Sequence, residues 1–189
     1  MKITAKTTLL ELAAIISDTL ESNNIIATLS GGAAVSIYSQ NRYQSEDLDF
    51  VTTALIDELK AALEPIGLRH SGNPRLSVFE HPAINWYVEF LPAPLGFGGT
   101  YVNSSDCTLI ETKHGRLRII TPTHSVMDRL IAAAAWSEPQ SLQQALLVVS
   151  HQGDTIDWDE LDRWVLQEDI VTAKEIIEFY RKIGRNIPT

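Results

Sequence analysis

Two short segments constrain this chain more than anything else in it: Leu29-Ser30-Gly31-Gly32 and Asp47-Leu48-Asp49-Phe50. Residues 25–29 are rich in β-formers and stop at the glycines, after which residues 33–39 read as a helix, so the first segment is a strand, a glycine turn and a helix start. Glycines there let the backbone approach a ligand closely, and a helix start offers unpaired N–H groups and a positive dipole end to a phosphate. A glycine pair at such a junction is also ordinary turn chemistry. The second segment sharpens the choice. Residues two apart on a strand share a face, so Asp47 and Asp49 project together while Leu48 and Phe50 pack behind them. Aspartate is a poor strand former and two like charges disfavour each other, so the pair calls for a cation, with Mg²⁺ the usual partner of oxygen ligands. The other reading of the pair is a turn cap ahead of the strand.

A third carboxylate, Glu89, stands within the apolar run Trp86-Tyr87-Val88-Glu89-Phe90-Leu91. Alone it would read as a solvated sheet face. Combined with the glycine turn and the paired aspartates, it forms a set able to hold a nucleoside triphosphate tail and two divalent ions for in-line phosphoryl or nucleotidyl transfer.

The rest of the chain supplies the frame. Thr7 or Thr8 caps a helix running to about residue 22, with Leu9, Leu12, Ala13, Ile16 and Leu20 on one stripe. Residues 48–52, 76–79 and 86–91 read as strands and residues 55–63 as a helix. The Pro- and Gly-rich residues 92–99 read as a loop and a candidate flap, and residues 107–111 with 116–120 as a hairpin. From Thr121-Pro122 onward the pattern is helical, with Val126, Leu130, Ile131 and Ala134 on one stripe and further helices over residues 142–149, 158–166 and 170–183. The expected architecture is α/β, a mixed sheet with flanking helices over residues 1–120 followed by a C-terminal helical subdomain over residues 121–189.

Composition narrows the function classes. A net charge of -9 argues against a protein that holds nucleic acid by blanket phosphate neutralisation. It leaves room for a narrow basic lip, for which Lys113, Arg116 and Arg118 are the candidates, a solvated face being the plainer reading. Cys107 has no partner, so a disulfide framework is out and a reducing cytoplasm is the simplest compartment. No stretch approaches the apolar length of a membrane span, which predicts a soluble, unprocessed chain with no membrane partner. The five histidines show no metal-ligand spacing. Trp136, Trp158 and Trp164 are expected to pack the helical part, and Trp86 and Tyr87 to be core or to line a base pocket.

The order hydrophobic residue, Gly31-Gly32, helix, Asp47-Leu48-Asp49, then Glu89 on a later strand resembles the nucleotidyltransferase superfamily. The stretches Gly31-Gly32-Ala33-Ala34-Val35 and Arg42-Tyr43-Gln44-Ser45-Glu46-Asp47-Leu48-Asp49-Phe50 are similar to bacterial members related to abortive-infection and toxin–antitoxin systems. The likeness extends to Thr121-Pro122-Thr123-His124-Ser125-Val126-Met127-Asp128-Arg129-Leu130, and residues 136–147 look like its continuation. It implies that Ser30, Gly31 and Gly32 cradle the β- and γ-phosphates, and that Asp47, Asp49 and Glu89 bind two Mg²⁺ ions. It further implies that Glu89 helps activate an acceptor hydroxyl, that Arg129 faces the nucleotide, and that Arg42 and Ser45 touch phosphates. The implied activity is transfer of a nucleoside monophosphate from an NTP to a tRNA end, a protein side chain or a small molecule, with a cognate antitoxin as an implied partner. Toxin-like relatives often carry an Arg-x-Lys-Asp cluster where this chain has Asp128-Arg129 and Ser137-Glu138-Pro139. That favours the alternative of a catalytically weak or inactive module acting by partner binding.

Overall fold

Thr8 opens the first helix as expected. Its hydroxyl accepts from the Glu11 N–H at 3.3 Å, while the Glu11 carboxylate accepts from the Thr8 N–H at 3.0 Å. This reciprocal box satisfies two donors that a helix start leaves unpaired. In the computed structural model, which describes residues 2–73, 77–135 and 138–189, the element order is α1 (Leu9–Ser22), β1 (Ala27–Ser30), α2 (Gly31–Tyr38), β2 (Asp47–Thr52), α3 (Ile56–Leu63), β3 (Arg69–His70), β4 (Val78–Glu80), β5 (Tyr87–Pro92), β6 (Leu95–Phe97), β7 (Thr100–Val102), β8 (Thr108–Thr112), β9 (Gly115–Ile119), α4 (Pro122–Ala135), α5 (Pro139–Gln152), α6 (Trp158–Gln167) and α7 (Lys174–Ile183). The expected strand start at Leu76 and the helical continuation at Trp136 lie outside the described residues.

Among the described residues seven strands form one mixed sheet in the order β3-β4-β5-β2-β1-β9-β8. β2 runs antiparallel to β1 and parallel to β5, which puts the Asp-x-Asp strand at the centre of the sheet. Its alternation decides the packing. Leu48 and Phe50 are fully buried, as is Val88, with Phe90 close to it, and the Phe50 and Phe90 rings stack at 5.8 Å. The opposite face of the same two strands carries the acids.

The helices after Ile119 do not stand apart from the sheet. α4 packs on α2 and β6 as well as on α5, α6 and α7. One continuous buried cluster runs from α1 and the sheet through α4 into Trp164, Phe179 and Tyr180.

Residues 92–99 correct the expectation of a loop and flap. Leu95 and Phe97 are buried, and β6 pairs with β7 in a hairpin. The hairpin is fastened to the helical part: Trp164 Nε1 donates to the Phe97 carbonyl at 3.1 Å, and Glu168 accepts from the Gly99 N–H at 2.8 Å and from the Thr100 hydroxyl at 2.7 Å. The Pro and Gly content marks the tight turn at Gly98-Gly99, where a carboxylate approaches too closely for a Cβ at Gly98. Two apolar side chains of the same parity, Leu95 and Phe97, face the core from this strand.

Candidate active site

The register places the carboxylates. Asp49 lies opposite Ser30 on β1 and opposite Glu89 on β5, and Asp47 lies opposite Tyr87. Asp47, Asp49 and Glu89 therefore share one face at the end of β1 where the chain turns into α2. Gly31 takes φ +63°, and a Cβ there would stand 2.2 Å from Asp49 Oδ2. Only glycine permits both that conformation and that approach.

Gly32 makes a second close approach: a Cβ on it would stand 2.6 Å from Ser45 Oγ. Ser45 is buried and uses every polar group it has. Its hydroxyl donates to Asp47 Oδ1 at 2.9 Å, and its N–H donates to Ser36 Oγ at 2.9 Å, which in turn donates to the Gly32 carbonyl at 3.1 Å. Its own carbonyl accepts from Trp86 Nε1 at 3.1 Å. The start of α2, the approach to β2 and the start of β5 are thus tied together through one serine. Tyr87 completes the hold on Asp47, its hydroxyl donating to Oδ2 at 3.3 Å.

Charge at this face is out of balance. Burial, then the charges of Asp47, Glu89 and Asp128, push the Asp49 carboxyl up to about 7, against a smaller opposing pull from Arg129. Arg129 is not free to offset more. Its guanidinium donates to Asp128 at 2.7 and 3.2 Å and to Gln144 Oε1 at 3.2 Å. The charge on Asp47 also pushes the Tyr87 phenol above its ordinary range.

This donor set suits a hard cation. Among the described residues no three His, Cys, Asp or Glu side chains form a ready metal cage. Mg²⁺ rarely uses one; it is held by one or two carboxylates together with substrate phosphates. Asp47 and Asp49, with Glu89 beside them, are hard-oxygen donors under mutual repulsion, so the residues fit that ion on chemistry and on charge.

The fold brings Ser30, Gly31, Gly32, Ser45, Asp47, Asp49 and Glu89 into one neighbourhood, with Arg129 entering from α4 close enough to act on Asp49. Arg42 lies exposed in the loop ahead of β2. The basic lip is corrected. Lys113 pairs with Glu11 at 3.1 Å, and Arg116 and Arg118 both reach Glu21 at 3.5 Å, so all three cations of the strip are engaged by carboxylates of α1. Ser36 and Asp128 carry no site reading in the sequence, and Tyr87, read there as core or base-pocket lining, instead holds a carboxylate. Tyr87 had a usable signal, since it shares strand parity with Glu89. Ser36 and Asp128 had none, because their roles depend on long-range contacts.

A scan of family models finds no match to this sequence, and neither does a search of curated proteins. Solved structures do match in fold. An antigenic nucleotidyltransferase-like protein from Paracoccidioides brasiliensis superposes with a TM-score of 0.58 at 14% identity, over 78% of each chain. ANT(2'')-Ia in complex with adenylyl-2''-tobramycin gives 0.53 at 13% identity, over 93% of this chain and 98% of that one. The lincosamide antibiotic adenylyltransferase LnuA with lincomycin bound gives 0.50 at 16% identity, over 75% and 98%. The chain has the nucleotidyltransferase fold.

Proposed function

We propose that this chain is a Mg²⁺-dependent nucleotidyltransferase that moves a nucleoside monophosphate from an NTP to an acceptor hydroxyl and releases pyrophosphate. The observation that carries the reading is the convergence of Asp47, Asp49 and Glu89 beside Gly31, with Asp49 held up to about 7 by burial and its acidic neighbours. The adenylyl product named with one structural neighbour and the adenylyltransferase name of another support ATP as a donor.

In this mechanism Ser30 and the backbone at Gly31-Gly32 hold the β- and γ-phosphates against the start of α2. Asp47, Asp49 and Glu89 would hold two Mg²⁺ ions, which supply positive charge to the phosphoryl group when bound. Glu89 takes the proton from the acceptor hydroxyl. The hydroxyl oxygen bonds to the α-phosphorus as the bond from that phosphorus to the bridging oxygen breaks, and pyrophosphate leaves. Ser45 and Tyr87 fix the two oxygens of Asp47, and Arg129 acts on the site's charge through α4. Catalysis then belongs to residues 1–120, and residues 121–189 brace it.

Thermal denaturation with each NTP and Mg²⁺ tests the reading. Wild type should gain stability, by about 2.7 kcal/mol at a hundredfold excess over Kd, and the Asp47→Ala, Asp49→Ala double variant should not. No gain in wild type with any NTP overturns the proposal.

One observation favours a second reading, a nucleotide-holding module that acts through a cognate partner protein, as in a toxin–antitoxin pair. The Arg129 guanidinium is committed to Asp128 and Gln144, which leaves it fewer donors for a nucleotide. Binding of MgNTP with no labelled transfer to any acceptor pool decides for the module.

A further inference from the structure

We infer that the acceptor is a small, polar, ring-bearing molecule with a free hydroxyl, seated in the cleft at the β3–β4–β5 end of the sheet. The inference rests on the transfer reading above and specifies its second substrate. In-line transfer puts the attacking oxygen and the leaving phosphates on opposite sides of the phosphorus. With the phosphates against Gly31 at the end of β1, the acceptor enters from the far side of β2, across β5. A cleft of about 740 Å³ lies there. That is within the ~300–1,000 Å³ typical of small-molecule sites.

Tyr87 joins the cleft to the carboxylates, since it lines the one and donates to Asp47 in the other. The lining is rich in rings: Trp86, Tyr87, His70 and His81 all contribute. Flat π-faces of this kind stack on rings. Its charges cancel, because Arg69 and Glu80 are cross-strand partners. Burial also pushes the His81 imidazole below its ordinary range, which keeps it neutral at pH 7.

The same features disfavour a polyanion. An RNA needs a surplus of Lys and Arg along its path. This chain carries -9 overall, and the cations of its strip, Lys113, Arg116 and Arg118, are each paired with a carboxylate of α1. An open cleft of this size with ring-bearing walls and no surplus of Lys or Arg suits a compact, uncharged or weakly charged ring compound.

The test is transfer of label from α-labelled ATP with Mg²⁺ to three separate acceptor pools: filtered low-mass metabolites, total RNA, and denatured protein. Two variants fill the cleft from exposed positions on its lining, Asn85→Trp and Ser71→Trp, and each is checked for fold by thermal denaturation. Label should appear in the low-mass pool and fall by about tenfold or more in a folded filled-cleft variant, the scale on which a displaced reactant costs rate. The MgATP thermal shift should stay as in wild type. Label in RNA or protein overturns the inference, as does undiminished transfer in either folded variant. Loss of the MgATP shift in a variant also overturns it, by making the cleft the base site. Absence of that shift in wild type overturns instead the transfer reading from which it starts.

Discussion

Two regions of one sheet treat charge in opposite ways. At the β8–β9 end Lys113 pairs with Glu11, the His114 ring lies 3.0 Å from the same carboxylate, and Arg116 and Arg118 share Glu21. At the β2–β5 centre Asp47, Asp49 and Glu89 face one another, and the nearby Arg129 is already bonded to Asp128. The first arrangement locks α1 onto the sheet. The second opposes folding, as the raised Asp49 carboxyl records. A fold that pairs its charges at one end and leaves a carboxylate surplus at its centre shows the contrast that marks a candidate functional site.

The largest effect should come from removing that surplus. Asp49→Asn should reduce transfer by on the order of a thousandfold. In metal-free protein at neutral pH it should raise folding stability by on the order of 1–3 kcal/mol. Chemical denaturation measures the second quantity, and a destabilised Asn variant would break the contrast between the two regions. Gly31→Ala comes next. Its Cβ would displace the Asp49 carboxylate at φ +63°, so a stability loss of about 1–3 kcal/mol and a rate loss on the order of a hundredfold are expected. Ser45→Ala removes the donor to Asp47 Oδ1 while leaving the carboxylate in place. Steady-state kinetics should show a fall of about tenfold in kcat, with a smaller change in KM.

The site's backbone was legible from sequence because it depends on strand parity and glycine conformation, both local. Asp47 and Asp49 had to share a face once β2 formed, and Glu89 joined them because β5 pairs with β2 in the register that sets Asp49 opposite it. That last step is tertiary, and the sequence could only suggest it. What was not legible is what reaches the site from a distance. Ser36 serves Ser45 across nine positions, and Asp128 arrives on α4. The pairing of the basic strip is hidden for the same reason: parity puts Arg116 and Arg118 on one face, but Glu11 and Glu21 lie about a hundred residues earlier in sequence. The β6–β7 hairpin was missed because its partners, Trp164 and Glu168, come from the last third of the chain.

The smallest effects lie at the paired end, and their sign separates the two regions. Glu21→Gln leaves Arg116 and Arg118 without their acid, and partly exposed pairs of this kind contribute about 0.2–1 kcal/mol, so transfer should be unchanged. Glu11 gives the sharper test through pH. Its bond from the Thr8 N–H, then Lys113 and His114, hold its carboxyl down at about 2 from an ordinary 4.5. A depressed carboxyl contributes stability that is complete above its unfolded pKa and is lost as pH falls from 4.5 through about 2. Asp49 runs the other way: raised from 3.8 to about 7, it favours the metal-free fold as pH falls through that interval. Acidification from neutrality should therefore first stabilise the protein through Asp49 and then destabilise it through Glu11. Glu11→Gln should flatten only the acid limb, and Asp49→Asn only the limb near neutrality. Denaturant midpoints measured across pH for the two variants check this, and a variant that alters the opposite limb would show that the two ends of the sheet are not electrostatically separate.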